Sequence, residues 1–249
     1  MTIKDIETKL SSKEYDFLET DKNLGKNIIL LGLGGSHAYG TNTESSDLDV
    51  RGIAVNRKEE ILIVALHLFA RDGYEAVSVS QIAGELDITK GALYRHYKSK
   101  RDIFDCIVKR MEQQDGEQAS DYDMPEEGKE RMPEKYETVS FDDFVKYSKS
   151  MFEYWTEDDF ASSFRKMLTI EQFRSKEMQS LYQQYLVAGP AFYVKDLFES
   201  MGITDAKDKA VRFYAILYFY YSLYDGTDDN EKVKEEFVSA INCMVQEFK

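Results

Sequence analysis

Ser78-Val79-Ser80-Gln81-Ile82-Ala83-Gly84-Glu85-Leu86-Asp87-Ile88-Thr89-Lys90-Gly91-Ala92-Leu93-Tyr94-Arg95-His96-Tyr97-Lys98-Ser99-Lys100 is the stretch that decides how this chain folds. Ser78 followed three residues later by Gln81 is a capping box, which opens a short helix reaching Leu86. Thr89 can accept a hydrogen bond from the first turn of a second helix, expected to run to Tyr97. Ser99 can cap a third, beginning near Lys100. Three short capped helices within about 30 residues, joined by tight turns, predict a helix-turn-helix. Upstream, from Lys58, Ile61, Ala65, Leu68 and Phe69 fall at the spacing of an amphipathic helix. Arg71-Asp72-Gly73-Tyr74 ends it, with Gly73 as C-terminal cap. His67, on this helix, reads as a packed core histidine.

A helix that reads the major groove presents short and polar residues outward while its back packs on the bundle. Between Thr89 and Tyr97, Leu93 and Tyr97 share one face, and Thr89, Lys90, Ala92 and Arg95 fall elsewhere. Gly91 allows the partly positive helix start to approach a phosphate closely. Tyr94, Lys98 and Lys100 can reach the backbone of a duplex, and Arg95 and His96 are candidates for base edges. Ser78, at the start of the preceding helix, completes the set. For each residue taken singly, the plain alternative is a solvated surface side chain.

Length and charge fit this reading. The 249 residues, 43% apolar and 31% charged, describe a globular chain with ample core. The net charge of −14 argues against nucleic acid only on average. Residues 57–101 carry 8 positive and 6 negative charges, whereas residues 102–249 carry 18 and 31. Phosphate binding needs local positive charge, not a basic chain. The longest uncharged aromatic stretch, Phe213 to Tyr224, falls short of the roughly 20 residues of a membrane helix. The charged start, Met1 to Asp21, does not read as a signal peptide. A cytoplasmic protein with no membrane partner is therefore expected. Cys106 and Cys243 are too few and too far apart for a disulfide framework or a zinc site, and both read as buried, inert thiols.

The gapless run of 41 residues from Glu60 to Lys100, with its turn glycine, capped second helix and Lys90-Gly91-Ala92-Leu93-Tyr94 … Tyr97-Lys98-Ser99-Lys100 segment, closely resembles the TetR family of transcriptional regulators. The resemblance implies a mainly α protein, with a helix-turn-helix DNA-binding domain over residues 57–103 and an all-helical ligand-binding and dimerisation domain over 104–249. It also implies double-stranded DNA as partner, a small-molecule effector and a homodimer through the two C-terminal helices, about Ala206–Tyr224 and Asp229–Phe248. The apolar residues of those helices would otherwise only fill a monomer core. Beyond Phe141 the chain reads as helical nearly throughout and rich in aromatics. Tyr147, Phe152, Trp155, Phe164, Tyr182 and Tyr185 are candidates for an effector pocket, although an aromatic stripe at helical spacing is more often core. With few buried charges, such a pocket suits a largely apolar or aromatic compound. Residues 112–143 hold 12 acids against 3 bases and read as a solvated acidic loop or the ragged start of a helix, with no chemistry.

Residues 1–56 carry a second pattern. A polar helix is followed by a buried strand, Ile28-Ile29-Leu30-Leu31, and a glycine turn, then by a strand through Asp47-Leu48-Asp49-Val50-Arg51-Gly52-Ile53-Ala54-Val55. Gly34-Gly35-Ser36-His37-Ala38-Tyr39-Gly40 with Asp47 and Asp49 resembles nucleotidyltransferases of the DNA polymerase β superfamily. The resemblance implies Ser36 at a triphosphate and Asp47 and Asp49 on magnesium. It lacks the third carboxylate and most of that fold, so a short α/β remnant without catalysis, metal or cofactor is expected. A natural fusion, a chimera and a misjoined sequence are equally compatible with it. The leading expectation is thus a dimeric, ligand-responsive repressor on a palindromic operator. The alternative is a magnesium-dependent nucleotidyltransferase using Ser36, Asp47 and Asp49.

Overall fold

The computed structural model describes residues 8, 10–16, 28–33, 39, 50–54 and 57–247. The chain divides into two units, residues 1–60 and 61–249. In the first, a 3-10 turn covers Lys13–Tyr15. Strands β1 (Ile28–Leu33) and β2 (Val50–Ala54) pair antiparallel, Leu31 opposite Gly52 and Leu33 opposite Val50, with an irregularity between Ile28 and Leu30. Ser36, Asp47 and Asp49 lie outside the described residues, as does the expected turn between the strands.

The second unit is helical throughout its described residues. Helix α1 (Arg57–Asp72) leads into it and buries Ile61, Leu62, Ala65, Leu66, Leu68 and Phe69. It ends as its sequence predicts: Gly73 adopts φ +88° and its amide donates to the Phe69 carbonyl at 3.0 Å. His67 departs from expectation. It sits on the side of α1 opposite the buried stripe, 44% exposed, with Nε2 2.8 Å from Asp159 Oδ2.

Helices α2 (Val79–Glu85), α3 (Lys90–Tyr94) and α4 (Lys100–Asp121) follow. Ser78, Thr89 and Ser99 cap them as predicted, each side chain accepting from the amide of the third helical residue. Such caps contribute about 1 kcal/mol each. The second helix of the motif is shorter than expected. Beyond Tyr94 its amides bond in tighter, turn-like fashion, Arg95 to Ala92 and His96 to Leu93. Helix α4 runs without a break through residues 112–121, which therefore belong to a helix rather than a loop. It also crosses the boundary drawn after residue 103.

The remainder packs as a bundle: α5 (Pro133–Thr138), α6 (Phe141–Glu157), α7 (Asp159–Glu171), α8 (Lys176–Leu186), α9 (Ala188–Ser200), α10 (Ala206–Asp225) and α11 (Asn230–Gln246). Its centre is aromatic. Phe144 of α6 meets Phe198 of α9 at 5.2 Å and Phe213 of α10 at 4.9 Å. Two turns further along α6, Phe152 stacks on Phe237 of α11 at 4.0 Å. Fully burying a Phe contributes roughly 1.5–3 kcal/mol, so this ladder is a major tie between α6, α9, α10 and α11. Cys106 is only half-buried and Cys243 is exposed, so neither is the sealed thiol that its neighbours in sequence suggest. No helix among the described residues is long and apolar enough to cross a membrane.

Candidate nucleic-acid interface and ligand cavity

The α2–α3 unit has one buried side and one open side. Ile82, Ala83, Leu93 and Tyr97 are buried against the core. Ser78, Thr89, Lys90, Gly91, Tyr94, Arg95 and Lys98 are exposed, and Ala92 and His96 are half-buried. Ser78 and Thr89 spend their oxygens on the helix caps, so what they can still offer outward is the hydroxyl hydrogen. The side chains of Lys90, Arg95 and Lys98 enter no ion pair among the described residues, whereas those of Arg71, Arg101, Arg131 and Arg165 each hold a carboxylate. An acidic chain thus keeps three cations unneutralised on one small face.

Lys100 does not join them. Its ammonium donates to the carbonyls of Tyr74 at 2.8 Å and Val77 at 3.0 Å and lies 4.3 Å over the Tyr74 ring. A charge already satisfied by backbone oxygens and an aromatic face holds the α1–α2 turn instead of reaching outward. Nearby, the Tyr74 amide donates to Glu171 Oε1 at 3.0 Å, and a Cβ on Gly73 would stand 2.7 Å from the same oxygen. Gly73 is therefore fixed twice, by its positive φ and by the carboxylate from α7. The guanidinium of Arg101 holds Glu177 of α8, 2.8 Å from Nη1 to Oε2, and this hydrogen bond keeps the Glu177 carboxyl below its ordinary range.

The body holds a half-open cavity of about 350 Å³, at the small end of ligand-pocket sizes. Of the aromatics singled out in the sequence, Tyr147, Trp155 and Tyr185 line it. Phe152, Phe164 and Tyr182 do not. Phe152 belongs to the aromatic ladder, Phe164 packs edge-on behind Tyr185 at 5.1 Å, and Tyr182 shares a hydrogen bond with the Tyr218 hydroxyl. Burial raises the Tyr182 hydroxyl to about 12. Tyr193, Tyr214 and Tyr221 line the cavity and were not anticipated. Tyr193 donates to the Pro125 carbonyl and Tyr214 to that of Leu186, which fixes both rings. Gly189 forms part of the wall, and a Cβ there would fall 1.9 Å from the Gln184 carbonyl oxygen, so α8 and α9 meet where only glycine fits.

The cavity is not purely apolar. Glu112, Asp115 and Glu126 line it, and among the described residues no Lys, Arg or His does. Asp115 Oδ1 is buried with no hydrogen-bond partner, and burial raises its carboxyl to about 7. This corrects two expectations: few charges were expected in the pocket, and no chemistry in residues 112–143. The signal was present. Ile103, Ile107, Met111, Asp115 and Ala119 fall four apart on α4, and the other four are buried.

Comparison with known proteins places this geometry. Residues 61–107 match the sequence model described as bacterial regulatory proteins, tetR family. The chain is 38% identical over 69 residues to the HTH-type transcriptional regulator AcrR of Shigella flexneri, covering 28% of this chain and 32% of that protein. It is 38% identical over 58 residues to the nucleoid occlusion factor SlmA of Escherichia coli O1:K1 / APEC, covering 23% of this chain and 29% of that protein. The chain thus spans about a third of the length of these curated relatives. In structure it resembles a TerR/AcrR-family transcriptional regulator from Aquifex aeolicus VF5, with a TM-score of 0.56 and 18% identity over 76% of this chain and 99% of the other. It also resembles SmeT in its complex with triclosan, TM-score 0.56 and 15% identity, covering 76% of this chain and 90% of that one. Residues 61–107 are thus similar to the helix-turn-helix segment of tetR-family regulators, and the helical unit around them shares its fold with solved structures of such regulators.

Proposed function

We propose that this chain is a dimeric, ligand-responsive transcriptional regulator of the cytoplasm, a repressor on a palindromic operator. Residues 57–103 contact double-stranded DNA, and residues 104–249 bind a small effector and dimerise. The observation that carries this reading is the exposed α2–α3 face, where Lys90, Arg95 and Lys98 enter no ion pair among the described residues of a chain of net charge −14. Lys90, Lys98, Tyr94 and the hydroxyls of Ser78 and Thr89 meet phosphates, while Arg95 and His96 reach base edges. Gly91 supports the assignment. A Cβ there meets only Thr89 Oγ1 at 3.8 Å, so the fold does not require glycine. Gly91→Ala should leave the melting temperature unchanged or slightly raised, since alanine favours a helix by about 1 kcal/mol. It should nevertheless weaken binding to duplex DNA, measured by mobility shift, because the methyl stands where a phosphate approaches.

One helix-turn-helix makes few base contacts, so useful specificity calls for two half-sites and a dimer. Helices α10 and α11 supply an unpartnered apolar face, with Val211, Tyr218, Phe219 and Leu223 on α10 and Val238 on α11 exposed. Replacing Tyr218 and Phe219 together by Asp should convert a dimer to a monomer in sedimentation equilibrium and reduce operator affinity with it. A variant that remains dimeric would move the interface elsewhere.

Communication between cavity and DNA face has a physical carrier. Helix α4 runs unbroken from the Ser99 cap, beside the recognition helix, to Asp115 in the cavity wall, a rise of about 24 Å. Arg101–Glu177 joins the start of this lever to α8, and Tyr74–Glu171 joins the neighbouring α1–α2 turn to α7. An effector that fits the cavity better at one tilt of α4 biases the spacing of the two recognition helices by its difference in affinity.

A further inference from the structure

The cavity's walls state what it should hold. They carry three carboxylates, no basic side chain and a ring of aromatic faces. Asp115 is the decisive member, because its Oδ1 is buried with neither a protein cation nor a hydrogen-bond donor to meet it. Leaving such a group unmet is costly, and a site normally neutralises or pairs it. The cations of the neighbourhood are engaged elsewhere. Arg165, which packs 5.2 Å from the Tyr221 ring, is bound to Asp225, and Arg110 lies 4.3 Å over Phe160. Aromatic rings around an anionic centre favour one chemistry, a monovalent organic cation whose charge faces both carboxylate and π-faces.

We infer that the cavity binds an aromatic or aliphatic organic cation, with Asp115 as its counter-ion and Tyr147, Trp155, Tyr185 and Tyr193 as the surrounding faces. The inference rests on the ligand-responsive reading above and gives the effector its chemical class. A neutral aromatic compound would fill the volume but leave Asp115 unmet.

Titration follows with a definite sign. The groups facing Asp115 are Tyr147 and Tyr154 from α6, Tyr185 from α8, Tyr193 from α9 and Tyr214 and Tyr221 from α10, all raised by burial and so neutral at pH 6–8. Glu112, on its own helix, and Glu126 are exposed carboxylates. Asp115, raised to about 7, is the group whose charge changes in this window. The cation binds the ionised form, so its affinity should rise about tenfold from pH 6 to pH 8.

Trp155, the single tryptophan of the chain, lines the cavity and reports its occupation. The experiment titrates the full-length protein with benzyltrimethylammonium and with neopentylbenzene, its neutral isostere, following Trp155 fluorescence. The expected result is saturable quenching by the cation, about tenfold tighter than the isostere at pH 8. In Asp115→Asn the preference should vanish while the isostere binds as before. The pH series on the unaltered protein gives the same answer without any variant: a rise for the cation, none for the isostere. Equal affinity for the two probes, a preference that survives Asp115→Asn, or no quenching by the cation would overturn the inference. Mobility shifts with duplex DNA, run on the same samples, keep the two readings apart. Cation binding with no effect on DNA leaves the site standing and removes the effector role. DNA binding with no cation preference removes the cation site and leaves the DNA-binding reading standing.

Discussion

Replacing Lys90, Arg95 and Lys98 together by alanine is expected to lower affinity for any duplex by about 10³-fold or more near physiological salt. The size of the effect follows from counting. Each phosphate contact contributes about 0.9 to the slope of log affinity against log salt, and a dimer brings two copies of the face. Lys90 and Lys98 on both copies make up to about four such contacts, so the slope should flatten by about 3.6, while the loss of Arg95 removes a base contact that does not enter the slope. All three side chains are exposed and enter no ion pair among the described residues, and the buried back of the unit, Leu93 and Tyr97, is untouched. The variant should therefore fold and melt normally, which separates lost contacts from lost structure. Arg95→Ala alone should behave differently. If Arg95 reads a base edge, it relaxes discrimination at one position by about 1–3 kcal/mol. Retention of the salt slope in the triple variant would place the DNA face elsewhere.

Arg165→Ala should be the most damaging single change in the body, at about 3–5 kcal/mol, or a melting temperature lower by roughly 10 °C. Arg165 is 4% exposed and serves three elements at once. Its Nε donates to the Trp155 carbonyl near the end of α6, its Nη2 donates to Asp225 at the end of α10, and its guanidinium packs on Tyr221. Truncation removes the packing and leaves Asp225 with Lys166 alone, 3.7 Å away. Arg165→Met retains most of the buried volume and should cost distinctly less. Equal losses for Ala and Met in thermal denaturation would show that charge rather than packing dominates there.

The motif that decides the fold was legible because its signals are local. A Ser or Thr cap, a glycine that must turn left-handed and a 3.6-residue stripe are each written within a few residues, and Ser78, Thr89, Ser99, Gly73, Leu93 and Tyr97 occupy the places their types predict. What failed depended on distant segments. Lys100 has the sequence context of a phosphate ligand, but the α1–α2 turn brings three carbonyls to its ammonium. His67 shares a helix with six buried apolar residues yet points away from them. Trp155 and Tyr147 turn to the cavity while Phe152, on the same helix, is spent on the aromatic ladder; no periodicity separates these, because both sides of α6 are covered. Asp115 was hidden by its neighbours: an acidic run suggests solvent, and only the register with Ile107 and Met111 places one acid indoors.

The most direct test of the account is to incubate the full-length protein with randomised duplex DNA and sequence what it retains. An enriched palindrome with half-sites about one helical turn apart is the result expected of a dimer carrying the α2–α3 face on each copy. Retention without any enriched sequence, or no retention at low salt, would contradict it.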